Sequence, residues 1–547
     1  MFAEVILHRR IPAKFDSFTY EVPQDFALSE GQIVTVPFRK QRLSAIVRKL
    51  HNQKPHYKTK LIETAASLVL PPKQMEFAKW MSERYKSSFS KAIDLFVPEK
   101  IWNYELRINT NIRIANDTNN AVQTKIPDPK LQKIIKELTR SSGLKLLLEK
   151  TPLPREDFYN ELIASAPKDS QTLFIFPEIF YAQKFGKGAE QFHSGLNEAK
   201  KAEVWENARK GFTKAIFGTR ASLFLPFKNL SLIVVDYEHS ESYNEKRQPN
   251  YNAVEVAQRL AQIWNIPLII ISSTPRVETW YRCRMSDVGC QTWKEREKPA
   301  PITILDMADE RRKGNFSIFA EKTTQNIAAA LAQNKQILLF INRKGEACAT
   351  LCADCGEIFK CGKCSGILTL HKNNQLKCHR CKIQKQMPEK CEKCGGVKLK
   401  SIGSGTEKIE KEIQKIFGKA KILRLDKETA GAKKSAVKIS DAKTLNKADI
   451  LIATQIIDKP LDLPRLKLSI ALTPDFLLNM PDFRAGERVF QLLTHIRHLT
   501  CNGEMIIQTF LPEHPLFKNL KENRIEDFYG DELKTREMLS LPPFNSI

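Results

Sequence analysis

Eight cysteines in four Cys-x-x-Cys pairs constrain this chain more than any other feature: Cys352/Cys355, Cys361/Cys364, Cys378/Cys381 and Cys391/Cys394. A Cys-x-x-Cys knuckle sets two thiolates on one side of a tight turn, and two knuckles complete a tetrahedron around one ion. Four pairs therefore predict two zinc ions. With every ligand a thiolate, neither ion keeps an open coordination position, so the zinc is expected to be structural. Gly356, Gly362, Gly366, Gly395 and Gly396 stand where such turns call for positive φ. His371 and His379 are available as ligands but not required. Spacing alone leaves open which pairs share an ion. A redox role suits one Cys-x-x-Cys better than four in succession. Cys283, Cys290, Cys348 and Cys501 lack partners at ligand spacing and read as packing residues.

Thiols used this way point to a reducing compartment rather than to disulfides. The N-terminus, MFAEVILHRR, has an apolar stretch too short for a signal peptide, followed by Arg9 and Arg10. No run approaches the roughly 18 apolar residues of a spanning helix. The expectation is a cytoplasmic protein with no membrane partner. Lys and Arg outnumber Asp and Glu by 87 to 62. An excess of that size favours a polyanionic partner, because bound phosphates release condensed counterions.

The texture along the chain predicts a multidomain α/β protein. Residues 1–50 alternate apolar and polar positions, as in Gln32-Ile33-Val34-Thr35-Val36-Pro37, and read as a small β-domain. Residues 72–96 read as helix, with Phe77, Trp80, Met81 and Tyr85 on one face. The Asn- and Thr-rich stretch 106–127 reads as a connector. From Asp128 onward, buried strands at Leu144–Leu148, Thr172–Phe176, Leu232–Asp236 and Leu268–Ser272 alternate with helices. The alternation resumes at Asn326–Phe340 and again after Ser401, so the cysteine block is an insertion in a second α/β stretch.

The ordered motifs are specific. Phe192-His193-Ser194-Gly195-Leu196, Gly218-Thr219-Arg220-Ala221-Ser222-Leu223-Phe224, Asn342-Arg343-Lys344-Gly345, the cysteine block and Gly403-Ser404-Gly405-Thr406-Glu407 follow one another. Asp482-Phe483-Arg484 with Glu487-Arg488, and Ile507-Gln508-Thr509 with Pro512-Glu513-His514-Pro515, complete the set. Over nearly its whole length the chain resembles the PriA family of bacterial primosomal helicases. The resemblance implies a β-rich 3′ DNA-binding domain at 1–105, a first RecA-like helicase lobe at 128–310 and a second at 311–345 and 401–515. It places a zinc insertion at 346–400 and a C-terminal remnant at 516–547. It also implies that Cys352, Cys355, Cys391 and Cys394 share one zinc and Cys361, Cys364, Cys378 and Cys381 the other. Implied partners are forked or single-stranded DNA, primosome proteins, single-stranded-DNA-binding protein and the replicative helicase, met by a monomer. The family's winged helix has little room between Ile101 and Asp128. Its C-terminal domain would just begin where the chain stops, so that domain is lost or the sequence is incomplete.

The motor motifs depart from the family. A phosphate-binding loop needs glycine N–H groups, a Lys and a Ser or Thr hydroxyl for Mg²⁺. After Leu144–Leu148 the chain reads Glu149-Lys150-Thr151-Pro152-Leu153-Pro154-Arg155-Glu156. No glycine remains, the prolines remove N–H donors, and Arg155 and Glu156 stand at the positions of the family's Lys and hydroxyl. In Asp236-Tyr237-Glu238-His239 the Asp is kept, but Tyr237 occupies the place of the acid that activates water. A phenol near pH 7 cannot act as that base, and Glu238, one residue on, would point the other way. The arginine finger that stabilises phosphoryl charge is reduced to a displaced Arg497. The expectation is a protein whose ATPase and helicase activity is lost, with no ATP or Mg²⁺ as cofactor and only Arg155, Asp236, Glu238 and Arg497 as remnants of the catalytic set.

For DNA, Phe15, Asp16 and Lys60 match the family's 3′-end pocket. The family's glycine after Pro-Phe is Arg39 here, which would narrow that pocket or contact a phosphate. Arg220 is a candidate phosphate contact, and Tyr243 and Tyr251 candidate stacking platforms. Three functions stay open at this point: a non-hydrolysing fork-recognition protein of replication restart, an active ATP-dependent 3′–5′ DNA helicase, and a zinc-ribbon RNA or protein adaptor.

Overall fold

The computed structural model describes residues 1–8, 17–102, 128–150, 153–285, 290–294, 299–341, 349–352, 354, 357–363, 367–371, 374–378, 382–402, 406–425, 442–454, 463–478, 480, 482–500 and 502–545. The chain forms two compact units. One comprises Met1–Leu148, Leu153–Ser272 and Ser286–Thr292, the other Glu149–Pro152, Ser273–Met285 and Trp293–Ile547.

The first unit opens with β1 (Phe2–Leu7), β2 (Phe18–Glu21), β3 (Gln32–Phe38), β4 (Gln41–His51) and β5 (Thr64–Val69). They make a five-stranded antiparallel sheet in the order β2-β1-β4-β3-β5. Its apolar face buries Val5, Leu7, Val34, Val36, Ala45 and Val47. The helix expected over 72–96 is two helices, Pro72–Arg84 and Phe89–Ile93. The chain turns left-handed at Lys86 (φ 47°), and Ser88 caps the second helix by accepting from the Lys91 N–H.

Apart from the end residues Glu149 and Trp293, the same unit continues with β6 (Gly143–Glu149), β7 (Gln171–Ile175), β8 (Glu190–Phe192), β9 (Ala215–Gly218), β10 (Leu230–Asp236), β11 (Pro267–Ser272) and β12 (Gln291–Trp293). Their order is β12-β6-β11-β10-β7-β9-β8, and every pairing from β6 to β8 is parallel. Helices cover such a sheet on both faces, which is why its strands read as continuous apolar runs. Helix Pro72–Arg84 is tied to this α/β part. Gln74 Nε2 donates to Phe224 O (3.0 Å), and Arg84 and Glu76 pair with Glu255 (2.7 Å) and Arg259 (2.8 Å).

The second unit holds β13 (Ile302–Asp306), β14 (Gln336–Ile341), β15 (Ala349–Cys352), β16 (Thr369–His371), β17 (Gln375–Lys377), β18 (Gln384–Gln386), β19 (Leu399–Ile402), β20 (Ile422–Leu425), β21 (Ile450–Ala453), β22 (Leu466–Leu472) and β23 (Glu504–Thr509). Six of these form a parallel sheet, β13-β23-β22-β14-β21-β20. The cysteine block leaves this sheet after β14 and returns before β20, and β15 pairs antiparallel with β19, so entry and exit of the insertion lie side by side. Leu351, Ile358 and Ile367 of the insertion pack with Met307 and Phe510.

Three boundaries differ from those expected. β13 pairs with β23, so the second sheet begins ahead of residue 311. Ser273–Met285 packs into the second unit: Tyr529 OH donates to Pro275 O (2.5 Å), and Trp280 stacks on Tyr529 (4.6 Å). The stretch 516–547 is integral to that unit, since helix Ile525–Met538 buries Arg536 against Glu487 (2.8 Å). Long-range packing of this kind has no local sequence signal. Among the described residues no helix is long and apolar enough to cross a membrane.

Candidate functional site

Asp236 ends β10, and the helix Arg155–Ser165 begins after β6, two strands away across β11. In a parallel α/β sheet the carboxyl ends of such strands are where ligands bind. Here they meet one another. Arg155 Nε donates to Asp236 Oδ2 at 2.6 Å and Nη2 to Oδ1 at 3.2 Å, a forked pair with side chains only 9% and 1% exposed. Tyr159 OH also donates to Oδ2, and the Tyr237 N–H to Oδ1 at 2.7 Å. An ionised carboxylate offers about four acceptor sites, so this one is filled by its own chain. Burial, then the Asp236 charge, holds the Tyr159 phenol protonated, well above its ordinary pKa.

Tyr237 adopts a left-handed backbone (φ 52°) and lays its ring 4.3 Å from the Arg155 guanidinium carbon and 4.4 Å from the Tyr181 ring. A strained backbone at a ligand edge marks a site held by its surroundings. Glu238 is buried and His239 Nδ1 meets Ser272 Oγ (2.9 Å). The first turn of helix Arg155–Ser165 carries Glu156 and Asp157. They set negative charge where the helix dipole would otherwise receive a phosphate. Thr151 and Pro152 lie outside the described residues. The sequence reading missed Tyr159, although it lies four residues after Arg155 and so shares its helix face.

Arg497 is no displaced finger. It is buried in the second unit, with Nε donating to Ala300 O and Nη1 to Leu520 O, both at 2.8 Å, and burial brings its pKa down to about 10. The expected stacking platforms are interior too. Tyr243 is fully buried and donates to Ile175 O (3.0 Å) and Asp236 O (2.5 Å). Tyr251 is 5% exposed and packs on Phe224 and Tyr85. Neither ring offers a face to a base. Arg220 binds its own loop, donating to Ser242 O (2.7 Å) and Asn244 O (2.9 Å) beside Glu245 (3.2 Å). The two rings were read as nucleic-acid contacts because an aromatic side chain in a polar loop looks the same in sequence whether it faces in or out.

In the five-stranded sheet, Phe15 and Asp16 lie outside the described residues. Lys60 is exposed, on the segment whose carbonyl accepts from the Glu21 N–H (2.9 Å). Arg39 is exposed at the β3–β4 turn, where Phe38 pairs with Gln41. Its φ is 55° while Lys40 stays negative, the pattern of a II′ turn that prefers glycine at its first central residue.

Among the described residues, the insertion brings three cysteines together. The Sγ atoms of Cys352, Cys391 and Cys394 all lie within 4.8 Å of one another, and Cys352 and Cys394 are 3.6 Å apart. Tetrahedral zinc with bonds of about 2.3 Å separates its sulfurs by roughly 3.8 Å, so this donor set fits a thiolate-bound metal. The turn after Cys391 closes with Gly395 N–H on Cys391 O (2.9 Å), and the Gly396 N–H reaches Cys394 Sγ (3.4 Å). Gly395 has the positive φ expected (72°), but Gly362 and Gly396 do not. Cys361 and Cys378 are buried together with Leu368 and Leu376. Cys355, Cys364 and Cys381 lie outside the described residues, as do Gly356 and Gly366.

The PriA 3′DNA-binding domain (3′BD) family matches residues 4–98. The chain is 33% identical to replication restart protein PriA of Bacillus subtilis (strain 168), over 69% of this chain and 49% of that protein. It is 30% identical to the protein of that name from Rickettsia conorii (strain ATCC VR-613 / Malish 7), over 97% of this chain and 84% of that one. The chain thus spans about half the length of the Bacillus relative and most of the Rickettsia one. Among solved structures, RecG bound to a three-way DNA junction is similar at a TM-score of 0.43 and 13% identity, covering 85% of this chain and 52% of that one.

Proposed function

This chain belongs to the PriA family of replication restart proteins, and on that premise we propose that it recognises forked DNA as a non-hydrolysing scaffold rather than as a motor. The observation that carries the reading is the carboxylate of Asp236. A Mg²⁺ ion would have to displace a buried guanidinium and a phenol before it could bind. Arg155 supplies the positive charge that the metal would bring, at the residue that would otherwise face phosphate. The general-base place is held by Tyr237, whose ring packs on that same guanidinium. Together these support two helicase-type lobes kept as folded bodies without turnover.

DNA binding then rests on the N-terminal domain, where Phe15, Asp16 and Lys60 match the family's 3′-end pocket in sequence and Arg39 replaces its glycine. The thiolates of Cys352, Cys355, Cys391 and Cys394 would hold one structural zinc, and those of Cys361, Cys364, Cys378 and Cys381 a second. Their module would serve as the docking site for primosome proteins, single-stranded-DNA-binding protein and the replicative helicase. ATP turnover on forked DNA is the direct test. The expected result is no stimulation above the protein-free rate. Turnover that Asp236→Ala abolishes would return the chain to the active helicases. A fork with a free 3′-OH is expected to bind more tightly than one with a blocked 3′ end; equal binding would remove the end pocket.

A further inference from the structure

The loop between β4 and β5 carries a feature that the 3′-end pocket does not use. Tyr57 is 62% exposed, one of the most exposed large hydrophobic side chains among the described residues. It has no hydrogen bond or ring contact among the described residues, although exposed aromatic faces are costly to leave in water. Around it, Lys54, His56, Lys58 and Lys60 are all exposed. None of these lysines has a carboxylate within ion-pair distance among the described residues. Lysines elsewhere do: Lys200 and Lys201 pair with Glu203 (2.8 Å) and Glu198 (2.7 Å), Lys385 with Glu392 (2.7 Å) and Lys393 with Glu357 (2.6 Å). The contrast has a sequence cause. Between Glu30 and Glu63 the chain has eight Lys or Arg and not one Asp or Glu.

A ring flanked by unneutralised cations fits one ligand chemistry, a base with its neighbouring phosphates. Base–aromatic stacking accepts any base, and a positive groove follows the backbone. Lys54 lies three residues before Tyr57, no more than about 11 Å along the chain, and Lys58 directly follows it, so their ammonium groups reach the phosphates on either side of a stacked base. The geometry points to this loop as a path for single-stranded nucleic acid, with Tyr57 as the stacking platform and Lys54 and Lys58 as phosphate contacts. It rests on the DNA-binding reading above and extends it from the strand's end to its interior.

The test is fluorescence anisotropy of the full zinc-loaded chain with a linear oligo-dT, a linear oligo-rU and a circular oligo-dT that has no 3′ end. Tyr57→Ala is expected to bind all three about 5- to 150-fold more weakly than the parent, the equivalent of about 1–3 kcal/mol of lost stacking. Tyr57→Phe keeps the ring and should bind like the parent. Lys54→Gln with Lys58→Gln should lower the slope of log affinity against log salt by about 1.4, roughly 0.7 per phosphate on a single strand. Tyr57 is exposed, so thermal unfolding should be unchanged, and a variant that melts early is replaced by Tyr57→Ser. Parent-like binding of Tyr57→Ala to the circle overturns the proposal and leaves the end pocket standing. A parent that binds no strand at all overturns the DNA-binding reading itself. An effect on oligo-dT with none on oligo-rU would overturn the base-tolerant stacking assigned to Tyr57.

Discussion

Removing the guanidinium of Arg155 should be among the most damaging single changes in the first unit. Arg155→Met keeps the apolar stem but leaves the Asp236 carboxylate, 1% exposed, with Tyr159 OH and the Tyr237 N–H as its donors among the described residues. Two hydrogen bonds to a charged acceptor are lost, each worth about 1.5–3 kcal/mol. Breaking a buried pair by removing one partner costs about 3–5 kcal/mol, the same range. Arg155→Lys keeps the charge without the fork and should cost less. Arg155→Met with Asp236→Leu removes both charges, and replacing a buried pair by apolar groups is often near neutral. It should therefore recover most of the loss. The chain has two units, so one unfolding midpoint would mix them. Urea titrations read by hydrogen exchange at peptides covering 230–243 isolate the first unit. A loss under about 1 kcal/mol for Arg155→Met would refute the pair as the support of this edge, as would a double variant costing more than the two single variants together.

Asp475 is fully buried and accepts from Thr509 Oγ1 (2.6 Å) and the Phe510 N–H (3.1 Å), yet burial raises its pKa from 3.8 to about 6. A raised acid contributes stability that is complete below about pH 4 and lost as pH rises through about 6. Asp475→Asn should flatten that slope and, near pH 8, match or exceed the parent by up to about 3 kcal/mol; a difference from the parent that does not vary with pH would sink the assignment. Arg39→Gly removes a side chain from a residue at φ 55°. It should stabilise the five-stranded sheet by up to about 1 kcal/mol, read as a higher urea midpoint for exchange at peptides covering 32–51, and a lower midpoint would show that the Arg39 guanidinium over Phe38 (5.8 Å) outweighs the turn. Chelation of the metal should expose amides across 349–402 to exchange while β14 and β21 stay protected; unchanged exchange after chelation, or Cys391→Ser with full metal content, would exclude the thiolate cluster as a structural site.

Much of the architecture was legible in the chain itself. Strands buried on both faces, such as Leu146–Leu148 and Ile233–Val235, announce a parallel sheet because nothing in them faces water. The cysteine pairs mark where a thiolate cluster should form, and Cys352, Cys391 and Cys394 do come together there. The lack of glycines before Arg155 and the Tyr at 237 could be read directly, since a backbone cradle and a base are defined by residue type. What those residues do instead could not be read, because no local rule says that Arg155 folds back onto Asp236, eighty-one residues away. Facing was equally hidden: Tyr243 and Tyr251 turn inward while Tyr57, on an equally polar loop, turns outward. Arg497 became a structural clamp only where the carbonyls of Ala300 and Leu520 came within its reach. Residue type limits which chemistry a side chain can offer. Which partner it meets depends on packing between distant segments, and that is decided only when the tertiary structure closes.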